Sequence, residues 1–174
     1  ALPLPHLQAA HAAQTGAGLI QPTRAVAAAL RAPGGPLRGY PRSGVRLAEA
    51  ELQNWAARGT VPLLTLENSP HAGAASGGMI YFGCYAPHAA AVSLLGSFNR
   101  WLPGQLPLHA AANGWWHTAV LLPAGRHTYR FWIEPAGTGT GTGTGPATGF
   151  WRGDDENPLH SESGYHDEHS VVVV

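Results

Sequence analysis

Lysine is missing from this 174-residue chain, and all ten of its basic side chains are arginine. Charged residues of both signs make up only 11%, against about a quarter in an ordinary soluble domain. The arginines are scattered rather than clustered, which argues against general nucleic-acid binding, because the phosphate backbone demands a basic patch. Cysteine occurs once, as Cys84. That excludes an internal disulfide and any CxxC metal site. Its place in an apolar strand suits a buried structural thiol. No apolar run approaches the roughly 18–20 residues that a membrane-spanning helix needs. Acidic residues are absent from the first 48 positions, which are Ala-rich and carry five arginines. Such a composition fits an organellar (mitochondrial or chloroplast) transit segment and fits equally a mature Ala-rich arm.

Hydrophobic residues at 44%, with 23 Gly and 15 Pro, allow a real core in a loop-rich chain, or one whose surface something else covers. Organisation changes along its length. Residues 1–78 read as an extension. Within it, a short helix is expected near Leu7–Gln14 and a better one over Thr23–Arg31, stopped by Ala32-Pro33-Gly34-Gly35. Residues 33–44 hold three Pro and four Gly and read as a linker. The clearest helix spans Leu47–Arg58, with Glu49 and Glu51 in its early turns, Arg58 in its last and Gly59 behind it. Leu52 and Trp55 lie on its apolar face and are the expected partner contacts. The stretch VRLAEAELQNWAARG is faintly like a helix-turn-helix protein, but no turn and helix precede it, so DNA binding is not expected. Val61–Leu66 is a short strand or strap, and Asn68–Gly78 a flexible joint.

From Met79 the apolar period becomes two. Ile80, Phe82 and Cys84 share one side. Val92 and Leu94 form the next such set, followed by a short Leu106–Leu108 strand. Trp116, Thr118, Val120 and Leu122 then fall together. Tyr129, Phe131 and Ile133 point inward, leaving Thr128, Arg130 and Trp132 on the outer side. Val171–Val174 closes the chain. Six or more short strands separated by Gly, Pro and Asn predict an all-β sandwich over residues 79–174. Residues 135–149 interrupt it with a Gly-Thr repeat too poor in side chains to bury a core, expected as a surface loop. The repeat lacks the Gly-Lys-Ser/Thr ending of a phosphate loop and leads into no helix.

The segments APHAAAVSLLGSFNRW, PLHAAANGWWHTAVLLPAGRHTYRFWIE, FWRGDDENP and HSVVVV resemble the family 48 carbohydrate-binding module. This is the glycogen-binding domain of the AMP-activated protein kinase β subunit. Relatives precede the catalytic barrel of branching and debranching enzymes or end plant starch-targeting proteins. The resemblance covers residues 79–174 and implies an immunoglobulin-like early-set β-sandwich that binds α-glucan without catalysing. It implies that Trp101, closing the Gly-Ser-Phe-Asn-x-Trp turn, and Trp151 form the sugar platform, with Arg130 reaching sugar hydroxyls. Trp132, on the outer side with Arg130, is expected to add to that platform. An indole offers a flat apolar surface to the C–H face of a sugar ring, and a guanidinium offers planar donors to hydroxyl oxygens. Two departures stand out: the long Gly-Thr loop replaces an Asp-Gly hairpin, leaving the distance from Trp101 to Trp151 open, and Arg replaces Lys.

Other chemistry is weaker. His160, His166, Asp167, Glu168 and His169 suggest a metal site, but no third fixed ligand is evident, and no metal or cofactor is expected. Asp154, Asp155 and Glu156 sit together in a turn where the family has a structural Asp-Pro, not as separated catalytic carboxylates. No Ser-His-Asp arrangement is recognisable by order or spacing. Two function classes follow. One is a non-catalytic glycogen- or starch-binding targeting or regulatory subunit, with residues 1–78 attaching a partner. The other is an accessory subunit of a large, organellar multiprotein complex that uses the same fold for protein contacts.

Overall fold

The computed structural model describes residues 20–58, 77–136, 149–161 and 169–174. The expected helix at 7–14, the strand at 61–66, the joint at 68–76, the Gly-Thr repeat at 137–148 and the residues His166, Asp167 and Glu168 lie outside the described residues. Two compact units divide the chain at Tyr40 and Pro41.

In the first unit, helix α1 spans Ile20–Arg31. The chain then doubles back through turns. The Gly35 amide donates to the Ala32 carbonyl at 2.8 Å and the Leu37 amide to the Leu30 carbonyl at 2.9 Å. Ala27, Leu30 and Leu37 are buried.

The second unit is a sandwich of two antiparallel sheets. Strand β1 (Val45–Arg46) precedes helix α2 (Glu49–Arg58), whose first turn carries Glu49 and Glu51. The Glu51 carboxylate accepts from the Ala48 amide at 3.3 Å, satisfying one of the donors that a helix start leaves bare. There follow β2 (Gly77–Tyr85), β3 (Ala89–Gly96), β4 (His109–Ala110), β5 (Trp115–Pro123), β6 (Arg126–Pro135), β7 (Phe150–Arg152), β8 (His160–Ser161) and β9 (His169–Val173). One sheet has the order β1-β2-β5-β4, the other β3-β6-β9-β8, with β7 also pairing β6.

Strand parity sets the core. Ile80, Phe82, Cys84, Val92, Leu94, Val120, Leu122, Tyr129, Phe131 and Ile133 form one cluster with Leu106, Leu108 and Val172. The inward sides expected for β2, β3, β5 and β6 are therefore the inward sides observed. The segment around Pro107 runs beside β3, with the Leu94 amide donating to Leu106 and the Leu108 amide to Val92, both at 2.8 Å. Trp116 packs against the core and donates from its indole nitrogen to the Ala86 carbonyl at 3.0 Å. Cys84 is buried and its thiol pushed up to about 12 by desolvation, so it is inert packing.

The β2-β5 surface facing away from this core is also buried. Tyr81, Trp115 and Ala119 have no exposed area. The Trp115 indole donates to the Tyr81 hydroxyl at 3.1 Å, which in turn meets His117 Nδ1 at 2.9 Å. Burial, with His109 next to it, pushes the His117 pKa down to about 4. Alternation along β2 and β5 predicts one buried side; along this central pair of strands both sides are buried.

The chain before β2 belongs to the sandwich from Pro41 onward. Val45 pairs with Tyr81 and Arg46 with Ile80. Ser43 is buried, its hydroxyl accepting from the Gly83 amide at 2.8 Å and donating to Asp154 at 2.5 Å. Residues 41–47, read from composition as the end of a linker and the start of a helix, are thus tied to the β-sheet by backbone and side-chain bonds.

The turn after β3 depends on Gly96. A Cβ there would lie 2.5 Å from the Thr128 carbonyl oxygen and 2.6 Å from the Phe98 ring. Neither β6 backbone nor a buried ring has room to retreat in a close-packed interior. Gly96→Ala is expected to lower stability by about 2 kcal/mol, within the range for overpacked core positions. A urea midpoint equal to that of the unmodified protein would contradict this.

Candidate functional site

The Ser97–Asn99 turn that follows Gly96 is a single 3-10 turn clasped by Asn99. The Asn99 side chain accepts from the Gly96 amide at 2.9 Å and donates to the Leu94 carbonyl at 3.0 Å. Arg100 and Trp101 then adopt φ of 57° and 58° in succession. Two left-handed non-glycine residues cost on the order of 1 kcal/mol each. The turn holds them through the Trp101 amide on the Gly96 carbonyl at 3.1 Å and the Leu102 amide on Asn99 at 3.3 Å. The result is that the Trp101 indole reaches over the outer face of the β3-β6-β9 sheet.

That face is laid out by register. Ser93 pairs with Trp132 and Leu95 with Arg130 across β3 and β6, Thr128 pairs with Val171 across β6 and β9, and Trp132 pairs with Trp151 across β6 and β7. Paired residues in a ladder share a face, so Arg130, Trp132, Trp151 and Val171 all point outward. His169, two residues before Val171, does so too. Leu95 and Val171 are buried on this face, whereas Trp151 keeps 40% of its surface exposed.

The aromatic rings meet. Trp101 and Trp151 have centroids 6.2 Å apart at 72°, and Trp132 and Trp151 have centroids 4.9 Å apart at 68°. The Arg130 guanidinium lies 5.6 Å from the centroid of the Trp151 ring, within cation–π range. His169 lies 4.7 Å from Trp101 with its plane tilted by only 36°. Behind the strand, a Cβ at Gly149 would meet the Trp132 ring at 2.5 Å, so the approach to β7 has room only for glycine.

All four residues singled out for sugar contact in the sequence, Trp101, Arg130, Trp132 and Trp151, are therefore in one cluster. The departure is in its shape. The rings stand edge to face, so the surface is a set of inclined facets rather than a flat platform. Trp132 is the residue against which Trp151 is set. His169 joins the cluster without having been singled out. The sequence places it in the His/Asp/Glu cluster weighed for metal and in the 163–170 loop where the resembled family makes its last sugar contacts, a loop that does not align cleanly. The side chains of Leu52 and Trp55, the expected partner contacts, lie outside the described residues, although their backbone belongs to α2.

On the other side of β7, Phe150 and Arg152 line a separate cavity of about 150 Å³ with Pro87, His88 and Ile133. Arg152 donates to the Tyr85 carbonyl and lies 5.8 Å from the Phe150 centroid, which tethers β7 to the end of β2. Among the described residues, no group of three or more His, Cys, Asp or Glu side chains has the arrangement of a metal site.

Just beyond β7, Asp154 is fully enclosed. Its carboxylate accepts from the Ser43 and Tyr129 hydroxyls, both at 2.5 Å, and from the Glu156 amide at 3.1 Å. Its own amide donates to the Ser170 hydroxyl at 2.8 Å. Asn157 donates to the Tyr129 hydroxyl at 2.9 Å and to the Val171 carbonyl at 2.7 Å. Desolvation pushes the Asp154 pKa up to about 7, opposed by the Ser43 and Tyr129 hydrogen bonds. Tyr129 is raised well above its ordinary value by burial and by Asp154. The carboxylate faces no open cleft: it fastens Ser43, the exit of β7 and the start of β9 to one another.

A search of the curated proteins returned no match. Residues 69–146 match the family described as Carbohydrate-binding module 48 (Isoamylase N-terminal domain). The match takes in Trp101, Arg130 and Trp132, while Trp151 and His169 follow it in the chain. With the two antiparallel sheets, the match makes the β domain similar to a family 48 carbohydrate-binding module.

Proposed function

We propose that this chain is a non-catalytic α-glucan-binding protein, a targeting or regulatory subunit that holds glycogen or starch on the Trp101–Trp151 face. The observation that carries the reading is the clustering of Trp101, Trp132, Trp151 and Arg130 on one outer sheet face. Each exposed indole covers the C–H face of one pyranose by apolar contact. Arg130, near Trp151, supplies N–H donors to the hydroxyls at the ring edge. An α-1,4 chain curves, turning successive sugar faces relative to one another. Facets inclined by 72° follow such a chain better than they follow the flat ribbon of a β-1,4 chain.

The test is direct. The purified chain is expected to co-sediment with glycogen and to bind maltoheptaose with a change in tryptophan fluorescence, and to ignore cellohexaose. Absence of binding to both α-glucans by the unmodified protein would remove the proposal. Equal binding of cellohexaose would remove the choice of linkage.

A further inference from the structure

The His169 ring, centred 4.7 Å from Trp101 and tilted by 36° to it, has no part in the reading of the site so far. We propose that His169 is a positioning residue: by stacking on one face of the Trp101 indole it fixes which face is left for the sugar. This inference rests on the α-glucan reading and adds to it the residue that sets the angle of the first facet.

The argument begins with the strain at Trp101. Its φ of 58° follows an equally left-handed Arg100, and the turn bonds fix its backbone through Gly96 and Asn99. Those bonds say nothing of χ1 and χ2. A half-buried indole on a fixed backbone still has several staggered positions, and a sugar platform that rotates among them forfeits affinity to ordering entropy. Two rings restrict it. Trp151 stands at 72° to the Trp101 ring with its centroid 6.2 Å away, whereas His169, at 4.7 Å and 36°, is both nearer and closer to parallel with it. His169 is held in turn by β9, since its neighbour Ser170 accepts from the Asp154 amide and its strand pairs with β6 and β8. The ring that sets Trp101 thus hangs from a strand tied to the buried Asp154 network, not from a loose loop. Any flat ring at position 169 serves this purpose, and a small side chain does not.

The experiment measures maltoheptaose affinity by calorimetry, together with ligand-free near-UV circular dichroism and tryptophan fluorescence, on the full chain. His169→Ala is expected to weaken binding about fivefold, the size of one aromatic pair, and to alter the tryptophan spectra. His169→Phe, which keeps a flat ring, is expected to restore both to within about twofold of the unmodified protein. In a Trp101→Ala background, His169→Ala is expected to leave the tryptophan spectra unchanged. Thermal unfolding of each variant separates loss of fold from loss of aim. Unchanged or tighter binding by His169→Ala overturns the proposal, as does a Phe variant as weak as the Ala variant. If the unmodified chain binds no α-glucan, the sugar reading itself fails. If His169→Ala leaves the ligand-free spectra of the otherwise unmodified chain unchanged, the stack fails whatever the ligand.

Discussion

Trp101→Ala is expected to abolish co-sedimentation with glycogen and to weaken maltoheptaose binding by about a hundredfold, equivalent to about 2.7 kcal/mol. Two contributions add to give so large an effect. The indole supplies the apolar surface that a sugar ring covers, worth on the order of 25 cal/mol per Å² removed from water. It also stands against Trp151 and His169, so its loss leaves Trp151 with one ring contact fewer. The substitution does not relieve the backbone, because alanine at φ 58° is strained as tryptophan is. Trp101→Gly does relieve it and serves as the control: equal loss of binding with equal or higher stability assigns the effect to the indole. Trp101→Phe keeps a smaller flat face and is expected to fall between. Retention of full affinity by either small-residue variant would show that the sugar lies elsewhere.

The second large effect concerns Asp154 and acid. Its folded pKa, pushed up to about 7, exceeds the roughly 3.9 of an unfolded aspartate. Between those values the folded chain holds a proton that the unfolded chain has released. Its contribution is therefore complete below about pH 4 and is lost as pH rises through about 7, at up to about 1.4 kcal/mol per unit. His117 runs the other way. Its folded value of about 4 lies below an unfolded value near 6.5, so its contribution is complete above pH 6.5 and is lost as pH falls toward 4. The two slopes oppose one another over the same window. Asp154→Asn removes the first and exposes the second. The difference in unfolding free energy between the variant and the unmodified protein, from urea denaturation, is expected to move against the variant by about 3 kcal/mol on going from pH 7 to pH 4. Parallel profiles would sink this account. Asp154→Ala, which also strips partners from the buried Ser43 and Tyr129 hydroxyls, is expected to cost about 3 kcal/mol at pH 5. It is also expected to loosen residues 41–47 toward protease.

The outer face was legible in the chain because a strand has a period of two. The HTYRFWIE run alone places Arg130 and Trp132 opposite Tyr129, Phe131 and Ile133, and β6 keeps that division. The Gly-Ser-Phe-Asn-x-Trp turn could be read likewise, since only a tight turn uses Gly and Asn at those places. Trp151 could not be placed in this way. Residues 136–149 separate it from β6, and a long connection rich in Gly and Thr fixes no register. It is the pairing of Trp132 with Trp151 that returns it to the cluster.

Trp101 and Trp151 came from the family resemblance, while the sequence by itself determined the sandwich, the inward side of β2, β3, β5 and β6, and Trp132 and Arg130 for the outer side. These are local consequences of alternation and turn chemistry, which act between near neighbours in the chain. Only the tertiary structure decided that the rings are inclined, that His169 lies on Trp101, and that Ser43 and Asp154, 111 positions apart, share a buried hydrogen bond. Those outcomes depend on which strands lie side by side and on desolvation, and no local pattern encodes either. The four-residue clasp of the turn aims Trp101. The rings that lie against it come from strands β7 and β9, more than forty residues further on.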